Sequence, residues 1–388
     1  MWAATVLNYL DRQVLSLTAE HVMREYGLTQ EGFGRLVAAF RYTYGLCQFA
    51  GGWLVDAWGP RAVYPAAVAA WSMAGVASAF TASLAGLTAC RATLGAAEAF
   101  NWPAALHVTS RIVAVRDRTL ANGVFNSGAA AGAVLAPLVV TALTVSYGWR
   151  AAFLVTGALG ILWIVAWHRV SRSFRADLGP TPASPAARRA ALRAVIRSRT
   201  FWALLGSAII VNGVNYFLAD WMPLYLKTER GFGFVAGNVL AMTIFGALEI
   251  GNIGAGWLVR HLVGRGTSVA AARRQTMVLS CVLMSFAALA GVVSHAALAW
   301  ACLVSTGVGV AGFLVVYLTL VQEVAPAHVG LTAGLLGGAG NLAYGTVSPL
   351  IGQLADANRS TITLGLVGVL PWVALALLLW AGDRNRQP

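Results

Sequence analysis

Three arginines, Arg12, Arg41 and Arg91, and two carboxylates, Asp11 and Glu98, sit inside stretches that are otherwise apolar enough to cross a bilayer. A charge at membrane depth is costly unless it is paired or hydrated, so such residues usually face a polar cavity and mark a pathway. Guanidinium groups placed there attract an anion, and titratable acids beside them can carry a proton. The five residues together point to movement of an organic anion coupled to protons. Arg91 and Glu98 are seven residues apart, which on a helix puts them on one face about two turns from each other. That is too far for backbone geometry alone to pair them, and leaves a substrate or a side chain of the first span to bridge them. Burial and a neighbouring arginine act on a carboxyl in opposite senses, so an anion that occupies the arginines would ease proton uptake by Glu98. The plainer alternative is a permanent interhelix salt bridge. Asp11 and Arg12 are adjacent, so their side chains point about 100° apart on a helix and cannot both face one cavity squarely.

These residues need apolar helices to carry them, and the composition supplies them. Of 388 residues, 58% are hydrophobic and 11% charged, and the mean hydropathy is +0.70. A soluble domain would carry roughly 25% charged residues. The chain therefore reads as an all-α polytopic membrane protein. At about 20 apolar residues per span, twelve spans are predicted: Trp2–Val22, Arg35–Val55, Ala62–Ala82, Leu84–Val108, Leu120–Val145, Ala151–Val170, Phe201–Leu226, Val235–Leu262, Thr276–Val293, Ala297–Val321, Leu331–Ala355 and Ile362–Trp380. The first span lacks a basic leader and carries Asp11 and Arg12 mid-segment, so it is not read as a cleaved signal. The chain opens almost inside that span, and its first helix is expected to be cut short.

The net charge of +13 records topology. With both termini cytoplasmic, inner loops and the C-terminus hold 18 of the 27 basic residues, from Arg61 through Arg111, Arg116 and Arg118 to Arg384 and Arg386, while outer loops hold six. This is the positive-inside bias of a multi-pass inner (plasma) membrane protein, and it argues against a nucleic-acid partner. The hydrophilic stretch Ser171–Thr200, whose one acid is Asp177, divides the spans six and six. The predicted organisation is an N-terminal six-helix bundle over 1–170, a basic cytoplasmic linker over 171–200 and a C-terminal six-helix bundle over 201–388. Part of the linker, Ala186–Arg199, can be drawn as a short basic helix against anionic headgroups. Gly52-Trp53-Leu54-Val55 recurs as Gly256-Trp257-Leu258-Val259 at the equivalent place in the second half, which favours duplicated bundles enclosing a central site. Cys47, Cys90, Cys281 and Cys302 are scattered without paired spacing and read as packing residues. No phosphate loop, zinc-ligand pair or nucleophile triad is legible, so no enzyme, metal or cofactor is expected.

Gly52-x-Leu54-x-Asp56-x-x-Gly59-x-Arg61 resembles the loop 2–3 signature of the major facilitator superfamily. Its glycines permit a tight turn and close helix approach. Asp56 can accept bonds from a neighbouring helix N-terminus, and Arg61 can reach carbonyls at a helix C-terminus. Gly52, Asp56, Gly59 and Arg61 would then form a conformational latch, although Ala57 stands where relatives usually carry a basic residue. Asn8-Tyr9-Leu10-Asp11-Arg12, Arg91 to Gly95 with Glu98 to Pro103, Phe125-Asn126-Ser127-Gly128, Gly148-Trp149-Arg150-Ala151-Ala152-Phe153, Trp221 to Leu226 and Gly340-Asn341-Leu342 resemble the anion:cation symporter family, which includes bacterial hexuronate and galactonate transporters. The likeness spans nearly the whole chain. It implies the twelve-helix major facilitator fold and alternating access.

By that resemblance Arg12 faces substrate and Asp11 is a second protonation or gating site, with a buried ion pair to Arg91 or Arg41 as the alternative. Tyr44 and Gln48 share a face of the second span with Arg41, a polar stripe suited to hydroxyls and carboxylates. Arg41 departs from the family pattern, which points to a more highly charged substrate such as a diacid or to an altered outer vestibule. In the second half Asn212, Asn215 and Tyr216, and Asn341, Tyr344 and Ser348, line helix faces. The resemblance singles out Asn341 as a sugar-binding group. Glu249, with Asn252 on the eighth span, reads as a packing or vestibule residue with a further proton site as the alternative, and Asp220, towards the outer end of the seventh span, is expected to meet water. The expected function is proton-coupled import of an organic anion, such as a hexuronate or hexonate, by a monomer in membrane lipid. Substrate groups are Arg12, Tyr44, Arg91, Asn341, Arg41 and Gln48, and proton-coupling groups are Glu98 and Asp11. An exporter of metabolites or drugs and a non-transporting nutrient sensor are the alternatives.

Overall fold

A computed structural model of the chain describes residues 1–113, 118–175, 177–180, 185–324 and 329–384. Arg116 and Arg386 lie outside the described residues, as do the side chains of Arg118, Asn126 and Arg384. Regular structure among the described residues is helical throughout: α1 (Trp2–Leu17), α2 (Ala19–Tyr26), α3 (Gln30–Trp58), α4 (Pro60–Ser78), α5 (Leu84–Glu98), α6 (Asn101–Ile112), α7 (Arg118–Tyr147), α8 (Trp149–Val170), α9 (Pro185–Ile196), α10 (Arg199–Thr228), α11 (Phe234–Gly264), α12 (Val269–Val292), α13 (Ala296–Val324), α14 (Val329–Asp356) and α15 (Ser360–Arg384), with a 3-10 turn at Ser171–Phe174.

Among the described residues, seven helices are long and apolar enough to cross a membrane by length and composition, and they begin only at Ser127. Two of the early predicted spans fall short because each is broken into two helices. The predicted span Trp2–Val22 is two pieces, α1 and α2, separated at Thr18, whose hydroxyl donates to the Val14 carbonyl (2.7 Å). The predicted span Leu84–Val108 is also two pieces, α5 and α6, with a break at Ala99–Phe100. Pro103 causes this break: it offers no N–H to the carbonyl four residues back and its ring crowds that carbonyl, which belongs to Ala99.

The chain divides into two compact units, Met1–Arg189 and Ala190–Pro388. In the first, α1 packs on α7, α3 on α5 and α4 on α8, with further contacts of α4 to α5 and α1 to α8. In the second, α10 packs on α14, α11 on α13 and α12 on α15, with α12 also on α13 and α10 on α15. Lipid offers little hydrophobic drive between helices, so such pairing rests on close packing and buried hydrogen bonds. In the first unit Trp163 and Trp167 stack (5.2 Å, 13°) beside Tyr64, whose hydroxyl donates to Asn101 Oδ1 (2.8 Å). In the second unit the Cys281 thiol donates to the Pro371 carbonyl (3.4 Å) and the Trp372 ring N–H to Ser285 (2.9 Å), which ties α12 to α15.

A further repeat is visible only in three dimensions. Glu25-Tyr26-Gly27 and Glu229-Arg230-Gly231 each turn the chain through a left-handed glycine, φ 62° and 72°. Glu25 accepts hydrogen bonds from Trp149 Nε1 (2.8 Å) and Arg150 Nη1 (2.5 Å) at the start of α8, while the Tyr26 hydroxyl donates to the Thr81 carbonyl (2.9 Å) beyond α4. Glu229 accepts from Ser360 (2.5 Å) at the start of α15, and Arg230 donates to the carbonyls of Ala290 and Val293 at the end of α12. Each unit thus ties the turn after its first predicted span to the start of the sixth span of that half and to the end of the third.

Candidate functional site

In the first unit the buried charges converge on one aromatic ring. Phe40, on α3 and buried, lies under three guanidiniums: the Cζ atoms of Arg12, Arg41 and Arg91 are 5.3, 5.6 and 4.9 Å from its centroid. Arg12 also lies over Tyr9 (5.1 Å) and Tyr44 (4.9 Å). Each distance is inside the range of about 6 Å over which a ring face attracts a cation. Gly95 brings this about. A Cβ there would lie 2.3 Å from the Phe40 carbonyl oxygen, so only glycine lets α5 approach α3 this closely, and Arg91 and Glu98 sit one turn to either side of it.

Arg12 bridges to α5. Its Nε and Nη2 both donate to Glu98 Oε2 (3.0 and 2.9 Å), and Nη2 also donates to Asn8 Oδ1 (3.2 Å). The Glu98 side chain is 0% exposed and that of Arg12 13%. Glu98 Oε1 has no hydrogen-bond donor among the described residues. The charges of Arg12, Arg91 and Arg41 all reach Glu98. A side chain of the first span therefore bridges what the spacing of Arg91 and Glu98 left open, and the pair formed is Arg12–Glu98.

Asp11 points elsewhere, as the helical angle between neighbours requires. It is buried and faces Thr156 on α8, with neither carboxylate oxygen in hydrogen-bond geometry with any described residue. The alternative of a direct ion pair with Arg91 or Arg41 is not formed. Glu98 and Arg91 act on Asp11 through charge alone. Tyr44 is buried against Phe40 (ring centroids 5.6 Å) and Gln48 is half-buried one turn further along α3.

The second unit is built from amides and phenols. Asn341 Nδ2 donates to the Tyr216 hydroxyl (3.0 Å) and to the Gly337 carbonyl (2.9 Å), and Tyr216 meets Tyr344 edge-on at 5.4 Å. Tyr317, on α13, is buried close to Tyr216, and its hydroxyl has no partner among the described residues; the same holds for Ser348. Asn212 turns to its own helix, donating to the Ala208 carbonyl (2.9 Å). Glu249 accepts from Asn252 (3.4 Å). Asp220, expected to meet water, is buried, because α10 packs against α11, α13, α14 and α15.

The four latch residues behave differently from one another. Gly59 turns the chain at φ 76°, and a Cβ there would lie 2.7 Å from the Leu178 carbonyl oxygen, whereas a Cβ at Gly52 would meet nothing within 4 Å. Asp56 Oδ1 pairs with the His107 ring on α6 (3.1 Å) instead of a helix N-terminus, and the Arg61 carbonyl accepts from Trp167 Nε1 (3.4 Å).

Sequence reasoning missed Phe40, Tyr9, Asn8 and Tyr317. Phe40 and Tyr317 look like any core aromatic in an apolar run. Asn8 carried a usable signal, standing one turn before Arg12 on the same helix face.

Buried guanidiniums and carboxylates within a bundle of apolar helices define a multi-pass membrane protein whose interior is built to handle charge. A family-level sequence profile described as Major Facilitator Superfamily matches residues 1–345. The chain belongs to the major facilitator superfamily. It is 28% identical over 411 positions to a D-galactonate transporter of Escherichia coli O6:H1, covering 100% of this chain and 95% of the relative. It is 26% identical to the hexuronate transporter of Escherichia coli K12, covering 98% and 92%, and 27% identical to a probable galactarate/D-glucarate transporter of the same strain, covering 100% and 94%. Among solved structures it is similar to a bacterial homologue of the human lysosomal transporter Spinster (TM-score 0.77, 18% identity, covering 100% and 97%) and to the peptide transporter POT in complex with sulfate (TM-score 0.77, 15% identity, covering 99% and 93%). These structures share the fold. The relatives and fold neighbours are transporters, and the chain is a transporter, not an enzyme.

Proposed function

We propose that this protein carries a sugar acid across the inner membrane together with protons, by alternating access of two six-helix halves. The observation that carries the reading is the buried Arg12–Glu98 pair set beside Arg41 and Arg91 over Phe40. A substrate carboxylate can take the place of Glu98 on Arg12, and Glu98, displaced in a buried site, then accepts a proton. Removing one partner of a buried ion pair costs about 3–5 kcal/mol, so neither exchange is favourable without the other. At about 1.4 kcal/mol per tenfold, substrate binding changes the proton affinity of Glu98 by roughly 100-fold or more.

Asp11 is the second candidate proton site, because a buried carboxylate lacking donors is a costly place for a charge. Arg12, Arg41, Arg91 and Tyr44 bind the anion, Gln48 and Asn341 orient its hydroxyls, and Gly52, Asp56, Gly59 and Arg61 form the latch. The twelve-helix arrangement is supported by the helix pairing, which follows the same order in both units, with bundles over 1–170 and 201–388 joined by the basic linker 171–200. Cytoplasmic termini are supported by the distribution of basic residues. The names of the relatives support the sugar-acid class.

The test is uptake by proteoliposomes across a panel of hexuronates, hexonates and aldarates. Glu98→Gln is expected to bind and exchange substrate but to lose accumulation driven by a pH gradient. Undiminished gradient-driven accumulation by that variant rejects the coupling role.

A further inference from the structure

Asn8 stands one turn before Arg12 on the same face of α1 and is 0% exposed. Its Oδ1 accepts from Arg12 Nη2 (3.2 Å), while its Nδ2 is shut off from solvent with no hydrogen-bond partner among the described residues. Which end of the amide faces Arg12 is fixed by chemistry: a guanidinium only donates, so the oxygen must turn to it and the NH2 group must turn away. Asn101 on α6, buried against the turn of α1 that precedes Asn8, is satisfied at both ends. Its Oδ1 accepts from the Tyr64 hydroxyl (2.8 Å) and its Nδ2 donates to Thr5 Oγ1 (3.3 Å). No other asparagine nitrogen among the described residues is buried without a partner. An unmet buried donor is costly, so Asn8 Nδ2 is suited to an acceptor brought in from outside the helices.

On the reading proposed above, on which this inference rests, a substrate carboxylate takes the place of Glu98 on Arg12. The nitrogen that Asn8 touches, Nη2, is one of the two that hold Glu98. Asn8 does not leave with Glu98, because it shares α1 with Arg12. Its NH2 group therefore stays close to the carboxylate that Nη2 would hold, and the first further atoms it can meet are those on the adjoining carbon. In hexonates, hexuronates and aldarates alike that carbon carries an oxygen, whereas in a plain alkanoate or a 2-deoxy acid it carries only hydrogen. The geometry points to Asn8 as a specificity-determining residue: it donates from Nδ2 to the oxygen on the carbon beside the substrate carboxylate, and so selects α-oxygenated carboxylates. A site built to bond such an oxygen rejects the analogue that lacks it, since the donor is then left unpaired.

The experiment is inhibition of counterflow in proteoliposomes, with whichever hexuronate, hexonate or aldarate wild type carries as the labelled substrate, and with D-gluconate, D-galactonate and their 2-deoxy analogues as inhibitors. The 2-hydroxy compounds are expected to inhibit wild type at concentrations roughly tenfold lower than the 2-deoxy ones, as one hydrogen bond from an otherwise unmet buried donor implies. In Asn8→Leu the two inhibition constants are expected to converge to within about twofold, because leucine offers the oxygen no donor. The ratio separates contact from support. Were Asn8 only a prop for Arg12, both classes would weaken together in Asn8→Leu and the preference would survive, which overturns the proposal. Equal inhibition of wild type by the two classes, or none by either, overturns it as well and needs no variant. If wild type carries no member of the sugar-acid panel, the transport reading itself falls; if it carries one without a 2-hydroxy preference, only the role of Asn8 falls.

Discussion

Replacing Phe40 by leucine removes the ring on which three guanidiniums rest while keeping an apolar side chain in the core. The Cζ distances of 4.9, 5.3 and 5.6 Å place each cation where a desolvated contact contributes about 1–2 kcal/mol. The three share one ring and will not add fully, so roughly 2–4 kcal/mol is expected from the lost ring face. Trimming Phe to Leu in a packed interior costs about 1–2 kcal/mol by itself. Phe313 supplies the control, because it is equally buried, on α13, with no guanidinium over its ring among the described residues. Thermal or denaturant unfolding of the purified protein in detergent should show Phe40→Leu losing about 2–4 kcal/mol more than Phe313→Leu. Substrate affinity should fall with it, since the ring orients Arg12 and Arg91 together. Equal losses in the two variants would refute the claim that Phe40 organises the arginines.

Other expectations follow from the same geometry. Gly95→Ala places a methyl 2.3 Å from the Phe40 carbonyl and should separate α3 from α5, lowering both unfolding temperature and uptake; Gly52→Ala, inside α3 with open space at its Cβ, should not lower unfolding temperature, since alanine favours the helix over glycine. Arg150→Ala should cost less than about 1 kcal/mol, because the Arg150 and Glu25 side chains are 38% and 39% exposed. The Arg150 hydrogen bond holds the Glu25 carboxyl below its usual range. The stabilisation is therefore present above the ordinary glutamate value of about 4.3 and is lost as pH falls through the depressed folded value. The gap in unfolding temperature between wild type and Arg150→Ala should accordingly close on acidification from neutral pH to about 3, and a constant gap would show that the pair contributes nothing.

Helical class, the approximate spans and the buried ionisable residues were legible in the chain because each is written in local composition. About 20 apolar residues in a row and a charge within them need no partner to be seen. Helix faces were legible too, through the 3.6-residue period, which put Arg91 and Glu98 on one side of α5 and turned Asp11 away from Arg12. Helix continuity was less so. The break at Ala99–Phe100 depends on a single proline that denies a carbonyl its N–H, inside a stretch whose hydropathy gives no warning, and the break at Thr18 has no local signal either.

What only the tertiary structure decided is which charge meets which. Nothing in the spacing said that Arg12 would reach Glu98, 86 residues away, that Phe40 would lie under all three arginines, or that Asp11 would face Thr156. Glycine at 95 and the packing of α1, α3 and α5 made those choices. The clasps through Glu25 and Glu229 were equally hidden, since Glu-x-Gly is too short a repeat to notice. A sequence states the period and polarity of each helix, which are properties of neighbours along the chain. Ion pairs, ring contacts and glycine approaches are set by distances between helices, and those exist only once the helices have packed.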